Sequence, residues 1–250
     1  EAVIGSAQDD FLVANTTDST LEGGDGNDNL IGGIGADVLD GGTGDDTVIG
    51  GTGADNMQGG AGADTLDYSS DAAGINADLT TGTVVDGGGA TDTVAGFEAL
   101  VGSAFADTIN GGNADVLSIQ SGDGSDVFQG SFGAVSLFGG EGADTFSGVQ
   151  LANTSLSAGD GNDVIDITST SATVDGGQGD DLFVGLGSGS AITLSGGNGV
   201  DTIDFSDRTV GMSTNVVGEA IIVDNILNVF DQYEVIVGTD HNDVIRSARS

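Results

Sequence analysis

The sequence predicts an all-β solenoid built from short strands, and three features of the chain support this prediction. Five nonapeptides of the form Gly-Gly-x-Gly-x-Asp-x-apolar-x follow one another without a gap between residues 23 and 67. Apolar residues recur at similar intervals through much of the remaining chain. Proline, which would interrupt a ladder of strands, is absent. A repeat of nine residues with this glycine pattern is typical of solenoid proteins.

The glycines predict the turns, and the x-apolar-x triplets predict the strands. Glycine tolerates a positive φ, so the Gly-Gly-x-Gly-x segment can turn tightly without a steric penalty. The middle residue of each triplet faces inward. Two nonapeptides make one coil, so each strand should lie beside the strand 18 residues further on, about 4.8 Å away. The predicted inward side chains are Leu12, Leu21, Leu30, Leu39, Val48, Met57, Leu66, Ile109, Phe128, Leu137, Phe146, Leu156, Ile165, Val174, Phe183 and Ile203.

The charge of the chain excludes several classes of partner. Acidic residues number 40 against 3 basic ones, which gives a formal charge of −37. Such a chain cannot neutralise the phosphates of a nucleic acid or bind an anionic membrane surface. No apolar stretch is long enough for a membrane span, and no cysteine is present for a disulfide framework. The 37% of apolar residues, placed at fixed intervals, argues against disorder.

The aspartates at position six of the repeats predict metal sites. In the contiguous block they are Asp28, Asp37, Asp46, Asp55 and Asp64. Aspartates 18 residues apart fall on the same edge of the solenoid, and two carboxylates at that spacing repel by roughly 3–4 kcal/mol at an intermediate dielectric constant. The thin core offers little hydrophobic burial against a conformational entropy cost of about 1–2 kcal/mol per residue. A cation between the carboxylates is therefore expected. Oxygen ligands without sulfur or imidazole suit Ca²⁺ better than zinc, copper or Mg²⁺.

These nonapeptides resemble the haemolysin-type calcium-binding repeat, the RTX nonapeptide, most specifically at residues 23–67. The resemblance implies a right-handed parallel β-roll with Ca²⁺ between the turns of successive coils. It also implies export by a bacterial type I system and folding on extracellular calcium. The implied ligands are the position-six aspartates and backbone carbonyls of the turns. On this basis the predicted carbonyl ligands are Gly24, Gly26, Gly42, Gly44, Gly51, Gly53, Gly60, Gly62, Gly140, Gly142, Gly159, Gly161, Gly177, Gly179, Gly197 and Gly199.

Weaker copies of the repeat extend the same register along the chain. Asp10 lies 18 residues before Asp28, whereas Ser19 stands where the other edge would need an aspartate. In the second half only every second repeat keeps its aspartate, which predicts calcium along one edge there and along both edges in the first block. The nine predicted same-edge pairs are Asp10/Asp28, Asp28/Asp46, Asp46/Asp64, Asp37/Asp55, Asp107/Asp126, Asp126/Asp144, Asp144/Asp163, Asp163/Asp181 and Asp181/Asp201.

Two segments interrupt the repeats and divide the chain. The prediction is a repeat block at 1–67, an insert at 68–101, a second block at 102–204 and a second insert with the start of another repeat at 205–250. The sequence FEALVGSAFADTI (97–109) aligns with YEVIVGTDHNDVI (233–245) without gaps. Both inserts are expected to continue the parallel solenoid with wider coils, in a fragment of a longer secreted repeat protein.

No catalytic or cofactor-binding residue is predicted. EF-hand loops are excluded because Ala36 and Ser171 occupy the positions that need a glutamate. A phosphate-binding loop is excluded because no lysine follows the glycine runs. A polysaccharide lyase would need a basic cluster, which the chain lacks. The outward residues of the repeats are too irregular for ice binding.

Three functions remain: a structural calcium-binding segment of a surface, matrix or adhesive protein, an accessory module of a secreted exoenzyme or toxin, and a carbohydrate-binding module. All three are extracellular, with calcium as the expected ligand. Further partners would be neighbouring copies or repeats stacked end to end, or a surface polysaccharide.

Overall fold

The computed structural model of the chain contains β-strands and no helix within the residues that it describes. By contacts between residues, the chain divides into two compact units, Glu1–Gly124 and Ser125–Ser250. The described residues are 2–14, 17–112, 116–185 and 191–206, together with strand backbone at 213–217, 220–223, 226–231, 235–237 and 244–247.

The first unit consists of short strands separated by tight turns. The strands are β1 Ala2–Ile4, β2 Phe11–Val13, β3 Thr20–Asp25, β4 Asn29–Ile34, β5 Val38–Thr43, β6 Thr47–Thr52, β7 Asn56–Ala61, β8 Thr65–Asp67, β9 Asn76–Asp78, β10 Thr83–Val85, β11 Thr91–Ala95, β12 Ala99–Val101, β13 Thr108–Gly111 and β14 Ser118–Asp123.

The repeats of the first unit pair in parallel at the predicted offset. Leu21 of β3 lies beside Leu39 of β5, which in turn lies beside Met57 of β7. On the other side of the coil, Leu30 of β4 pairs with Val48 of β6. The parallel solenoid of two nonapeptides per coil is therefore confirmed. The turns need glycine: a Cβ added to Gly24, whose φ is +114°, would lie 2.3 Å from the Ser6 carbonyl oxygen.

The insert after β8 widens the coil. Parallel pairing continues, because Met57 pairs with Val94 and Leu66 pairs with Leu100. One strand departs from the expected pattern, since β10 runs antiparallel to both β9 and β11. This reversal could not be predicted, because a three-residue apolar strand has the same composition in either direction.

The second unit contains two strands that are much longer than any in the first. Strands β17 and β18 span 16 and 15 residues, and each runs through two repeats. Antiparallel pairing joins β22, β23 and β24. Residues 207–212, 218–219, 224–225, 232–234, 238–243 and 248–250 of the second predicted insert lie outside the described residues. The strands are β15 Val127–Phe132, β16 Ser136–Glu141, β17 Thr145–Asp160, β18 Val164–Gln178, β19 Leu182–Val184, β20 Ala191–Asn198, β21 Thr202–Asp204, β22 Ser213–Val217, β23 Ala220–Val223, β24 Ile226–Asp231, β25 Val235–Val237 and β26 Val244–Ser247.

The core of each unit is a row of inward side chains. All of the side chains predicted to face inward are buried. In the second unit, stacking adds to burial: the rings of Phe128 and Phe146 lie 4.7 Å apart and are nearly parallel. The strands thus hold the turns in register, and the register positions the aspartates.

Candidate metal sites between successive coils

Each position-six aspartate is fixed by a hydrogen bond to the preceding coil. The backbone N–H of Asp10 donates to Oδ1 of Asp28 at 2.8 Å, and the N–H of Asp28 donates to Oδ1 of Asp46 at 2.7 Å. This pattern repeats on the second edge and in the second unit. The further donor and acceptor pairs are Asp46 to Asp64, Ser19 to Asp37, Asp37 to Asp55, Asp126 to Asp144, Asp144 to Asp163, Asp163 to Asp181 and Asp181 to Asp201.

In eight of these aspartates the second carboxylate oxygen, Oδ2, is buried and has no hydrogen-bond partner. Such an orphaned buried oxygen is costly unless a proton or a cation satisfies it. The aspartates of the repeats with a buried and unpartnered Oδ2 are Asp28, Asp37, Asp46, Asp55, Asp64, Asp144, Asp163 and Asp181.

At six of these eight aspartates the space beside Oδ2 is bordered by a backbone carbonyl of the next coil. A Cβ added to Gly23 would lie 2.3 Å from Oδ2 of Asp28 and 2.3 Å from the carbonyl oxygen of Gly41. In the second unit, a Cβ on Gly176 would meet Oδ2 of Asp181 and the Gly196 carbonyl at 2.3 and 2.5 Å. At these two positions the absence of a Cβ leaves the space open, whereas the repeat of Asp163 has Ala158 at position one. The space is lined by hard oxygen donors, the ligands that Ca²⁺ prefers.

The predicted carbonyl ligands came from positions two and four of the turns, whereas the carbonyls beside Oδ2 belong to position one. The carbonyl oxygen of Gly24, at position two, instead faces Gly42 of the next coil. A Cβ added to Gly42 would lie 2.2 Å from this oxygen. The ligand assignment of the glycines at positions two and four stays a prediction.

Burial makes the charged form of these carboxylates unfavourable in the absence of a cation. In the second unit, burial raises the pKa of Asp144 and of Asp181 to about 7 and the pKa of Asp163 to about 6. The charges of neighbouring aspartates add to the shift at Asp144 and Asp181. In the first unit, burial raises the pKa of the repeat aspartates Asp37, Asp46, Asp55 and Asp64. A divalent cation would reverse this penalty by pairing with the charge.

No group of three or more acidic, histidine or cysteine side chains is close enough to hold a metal within the described part of the chain. Each candidate site therefore has at most two carboxylates and must be completed by carbonyl oxygens. This donor set fits Ca²⁺, which accepts backbone carbonyls readily, and does not fit zinc.

Eight of the nine predicted pairs are joined by the hydrogen bond between successive coils described above. The Asp107/Asp126 pair stays a prediction. Asp107 accepts hydrogen bonds from the backbone N–H and the hydroxyl of Ser103, at 2.8 and 2.7 Å, and from the N–H of Ile75 at 2.7 Å. Asp10 is also different, because its Oδ2 accepts a hydrogen bond from the N–H of Ser6.

Two members of the aspartate rows were missed. Asp92 accepts the N–H of Asp55 at 2.9 Å, and Glu98 accepts the N–H of Asp64 at 2.8 Å, so both take the role of a position-six aspartate. The signal for Asp92 was present: GGGATDTVA at 87–95 is a nonapeptide that lacks only its third glycine. Glu98 carries no such signal, since it replaces aspartate by a longer side chain.

A second row of hydrogen bonds runs along position five. Asp9, Asn27 and Asp45 each accept the N–H of the residue 18 positions later, at 2.9 Å. From the sequence, position five was expected only to face outward. These bonds are exposed, so they tie one turn to the next without excluding water.

Comparison with known proteins agrees with this geometry. The RTX calcium-binding nonapeptide repeat family matches residues 4–39, 40–72, 92–115, 120–150 and 151–166, together more than half of the chain. The protein therefore belongs to the family of RTX calcium-binding nonapeptide repeat proteins, and it is a calcium-binding structural repeat region.

Among solved structures, the chain is similar to an extracellular lipase, LipA, from Serratia marcescens. The sequences are 13% identical, the TM-score is 0.22, and the match covers 92% of this chain and 38% of the lipase chain. The chain thus spans well under half the length of that protein. No curated protein matches the chain.

Proposed function

We propose that this chain is the calcium-dependent scaffold of a secreted or cell-surface bacterial protein of the surface-layer, matrix or adhesin type, and that it folds when it binds Ca²⁺ after export. The observation that carries the proposal is the row of eight buried Oδ2 atoms, six of which lie beside a carbonyl oxygen of the next coil. Secretion, commonly by the type I route, is typical of the family to which the chain belongs. The proposed role is structural rather than catalytic, because the carboxylates form a regular row and not a single acid–base pair.

The charge of the chain supports folding that depends on calcium. A net charge of −37 opposes compaction through self-repulsion. One divalent ion at each of nine predicted sites would neutralise about half of that charge. Because these sites form only when successive coils stack, ion binding and folding are expected to be one coupled event.

The positions of the aspartates between coils also indicate which residues would hold the calcium ions in the folded chain. Each site takes its carboxylates from one or two coils and its carbonyls from the next, so a single coil cannot hold the ion. Asp28, Asp46 and Asp64 would bind along one edge, with Asp37 and Asp55 on the other. In the second unit Asp144, Asp163 and Asp181 would bind along one edge.

No helix in the described residues is long and apolar enough to span a membrane.

Far-UV circular dichroism of the EDTA-treated chain, titrated separately with Ca²⁺ and Mg²⁺, tests the proposal. We expect a cooperative transition from coil to β-structure with Ca²⁺ and little change with Mg²⁺, which demands stricter octahedral geometry. A full β-sheet spectrum in EDTA would contradict the proposal, since it would mean that packing and hydrogen bonding suffice without the ion.

A further inference from the structure

One aspartate row of the contiguous repeats continues into the insert, and a tyrosine lies at the point where it does so. The N–H of Asp37 donates to Oδ1 of Asp55 at 2.8 Å, and the N–H of Asp55 donates to Oδ1 of Asp92 at 2.9 Å. Oδ2 of Asp92 accepts a hydrogen bond from the Tyr68 hydroxyl at 2.8 Å. Asp92 thus differs from Asp37 and Asp55, whose Oδ2 has no hydrogen-bond partner.

Both partners of the Tyr68–Asp92 hydrogen bond are shielded from solvent. Tyr68 is 1% exposed, and Asp92 is fully buried in β11. Tyr68 directly follows β8, and its own N–H donates to the Val101 carbonyl of β12 at 2.9 Å. A buried carboxylate with an unsatisfied oxygen is costly, and the tyrosine hydroxyl satisfies that oxygen at Asp92.

Tyr68 occupies position one of the nonapeptide that would follow residues 59–67. One coil earlier on this edge, position one is Gly50, and its carbonyl borders Oδ2 of Asp37. A Cβ added to Gly32 would lie 2.5 Å from that carbonyl oxygen and 2.7 Å from Oδ2 of Asp37. The carbonyl of Tyr68 instead accepts the N–H of Asp71 at 3.0 Å, within its own turn.

The space beside Asp55 lacks the carbonyl that the repeats provide. A Cβ added to Gly50 would lie 2.6 Å from Oδ2 of Asp55, and the next nearest atoms are the sulfur and methyl carbon of Met57, at 3.0 and 3.1 Å. The other edge of the same coil is different, because a Cβ added to Gly59 would contact the Gly96 carbonyl and lie 2.9 Å from Oδ2 of Asp64. The calcium geometry therefore continues into the insert on one edge only.

The second insert begins in the same way but lacks both groups of this hydrogen bond. Phe205 follows the last nonapeptide of its block, as Tyr68 does in the first, and it is also buried. Asn228 holds the register position in β24 that Asp92 holds in β11, one residue before the first residue that pairs with the preceding coil. Where the hydroxyl is absent from the sequence, the carboxylate is absent too. This indicates that the tyrosine and the aspartate function as a pair.

We propose that the Tyr68 hydroxyl takes the place of a calcium ion at the end of this aspartate row, so that the insert is joined to the last repeat coil on this edge without a metal. Tyr68 is then a positioning residue, because it holds Asp92, which in turn holds the N–H of Asp55. Asp55 stays available to the predicted Asp37/Asp55 pair. The inference rests on the proposed function, since it takes calcium to fill the other steps of the rows.

A double-mutant cycle tests whether Tyr68 and Asp92 act as a pair. Urea unfolding in saturating Ca²⁺ compares the parent chain, Tyr68→Phe, Asp92→Asn and the double variant, which carries the residues of the second insert. We expect Tyr68→Phe to lower the equilibrium constant for folding about tenfold, because it leaves a buried charged oxygen without a partner. In the Asp92→Asn background the same substitution should lower it about threefold or less. Equal effects in the two backgrounds would overturn the proposal.

The matched control for charge is Asp78→Asn, at a carboxylate of the same insert that hydrogen-bonds to Thr80 in its own turn. In this background Tyr68→Phe should keep its full effect of about tenfold. If Asp78→Asn reduces the effect of Tyr68→Phe as much as Asp92→Asn does, the coupling belongs to net charge and the proposal is wrong.

The number of calcium ions bound per chain tests whether the tyrosine replaces an ion. We expect Asp92→Asn to bind as many ions as the parent chain, whereas Asp46→Asn binds fewer. Atomic emission spectroscopy of the dialysed protein measures this number. A loss of calcium in Asp92→Asn like that in Asp46→Asn would overturn the proposal, because it would place an ion at Asp92.

The remaining outcomes are also decisive. If Tyr68→Phe does not fold in saturating Ca²⁺, the double variant carries the test: folding of the double variant supports the pair, and its failure to fold overturns it. The calcium count separates this inference from the proposed function. If neither Asp46→Asn nor Asp92→Asn binds less calcium than the parent chain, the calcium sites of the repeats are contradicted, and the double-mutant cycle still decides the role of Tyr68.

Discussion

The contiguous repeats of the first unit and the long strands of the second unit form the same kind of coil in different ways. Between residues 23 and 67 each coil has two glycine turns, each with its own buried aspartate. In the second unit one edge keeps such turns, and its aspartates are bonded from coil to coil. At the other corner, β17 and β18 continue through the bend without a Gly-Gly-x-Gly turn or a position-six aspartate, although Gly148 and Asn153 of β17 have a positive φ.

Apolar side chains fill the corner that lacks aspartates. Val149, Leu151 and Ile167 are fully or almost fully buried there, in addition to the one inward residue of each repeat. Burying such a side chain contributes about 1.5–3 kcal/mol. The hydroxyl of Thr154 donates to the Gly133 carbonyl at 2.6 Å and closes the bend. The comparison indicates that a coil needs calcium at an edge only where hydrophobic burial cannot stabilise that edge.

The largest expected effect is that of removing calcium, and it should differ between the two regions. As the calcium concentration is lowered into the folding transition, we expect the amides of β3 to β8 to lose protection from hydrogen exchange first, because both of their edges depend on the ion. The amides in the middle of β17 and β18 should retain more protection. Hydrogen exchange followed by mass spectrometry measures this directly. Equal loss in both regions would mean that the apolar corner does not substitute for calcium.

A substitution at Asp46 should have the next largest effect, since Asp46 contributes to two predicted pairs. Asp46→Asn keeps Oδ1 as the acceptor for Asp28 but replaces the charged Oδ2. We expect the calcium concentration at the midpoint of folding to rise about tenfold, which corresponds to about 1.4 kcal/mol. A calcium titration followed by circular dichroism gives the midpoint.

The matched control for this substitution is Asp40→Asn, which removes one charge at an exposed position nine of the same block. Its midpoint should stay close to that of the parent chain. If both variants shift equally, the effect belongs to net charge rather than to the buried site.

The fold could be predicted from the sequence largely because a solenoid repeats one local rule. The inward residues from Leu12 to Ile203, the offset of 18 and the aspartate rows all follow from the nonapeptide. The antiparallel β10 could not be predicted, since nothing local specifies the direction of a short strand. Glu98 was missed because its role depends on the wider coil, which moves a longer side chain into the place of an aspartate. The position-one carbonyls needed coordinates, since every residue has a carbonyl and only geometry selects one.

Calcium affinity should depend on pH because of the raised pKa values in the second unit. This effect should be smaller than that of Asp46→Asn. The pKa of Asp144 and Asp181 is about 7 in the folded chain, above the ordinary value of about 3.8. The calcium-free fold therefore binds more protons than the unfolded chain, so its stability is full below about pH 4 and is lost as the pH rises through about 7. Calcium competes with these protons.

We therefore expect calcium affinity to increase from pH 5 to pH 8, as measured by isothermal titration calorimetry. The variant Asp144→Asn should show a weaker dependence, because one of the titrating groups has been removed. An affinity that is constant over this range would contradict the assignment of the buried aspartates as ligands.

The smallest expected effect lies at the corner without aspartates. Thr154→Val removes the hydrogen bond to the Gly133 carbonyl and should destabilise the chain by about 1 kcal/mol. This loss should be the same at every calcium concentration that supports folding, and thermal unfolding at two calcium concentrations measures it. Ser147→Ala, at an exposed position of the same strand, is the control. A loss that grows as calcium falls would mean that this corner also depends on the ion.

The most direct test of calcium between successive coils is a crystal structure of the calcium-loaded chain with anomalous scattering data. We expect an ion between Asp28 and Asp46, bound by Oδ2 of Asp28 and by the Gly41 carbonyl, and equivalent ions along the other aspartate rows. Buried oxygens that are instead satisfied by protein or water hydrogen bonds, with no anomalous peak between the coils, would contradict calcium binding at these aspartates.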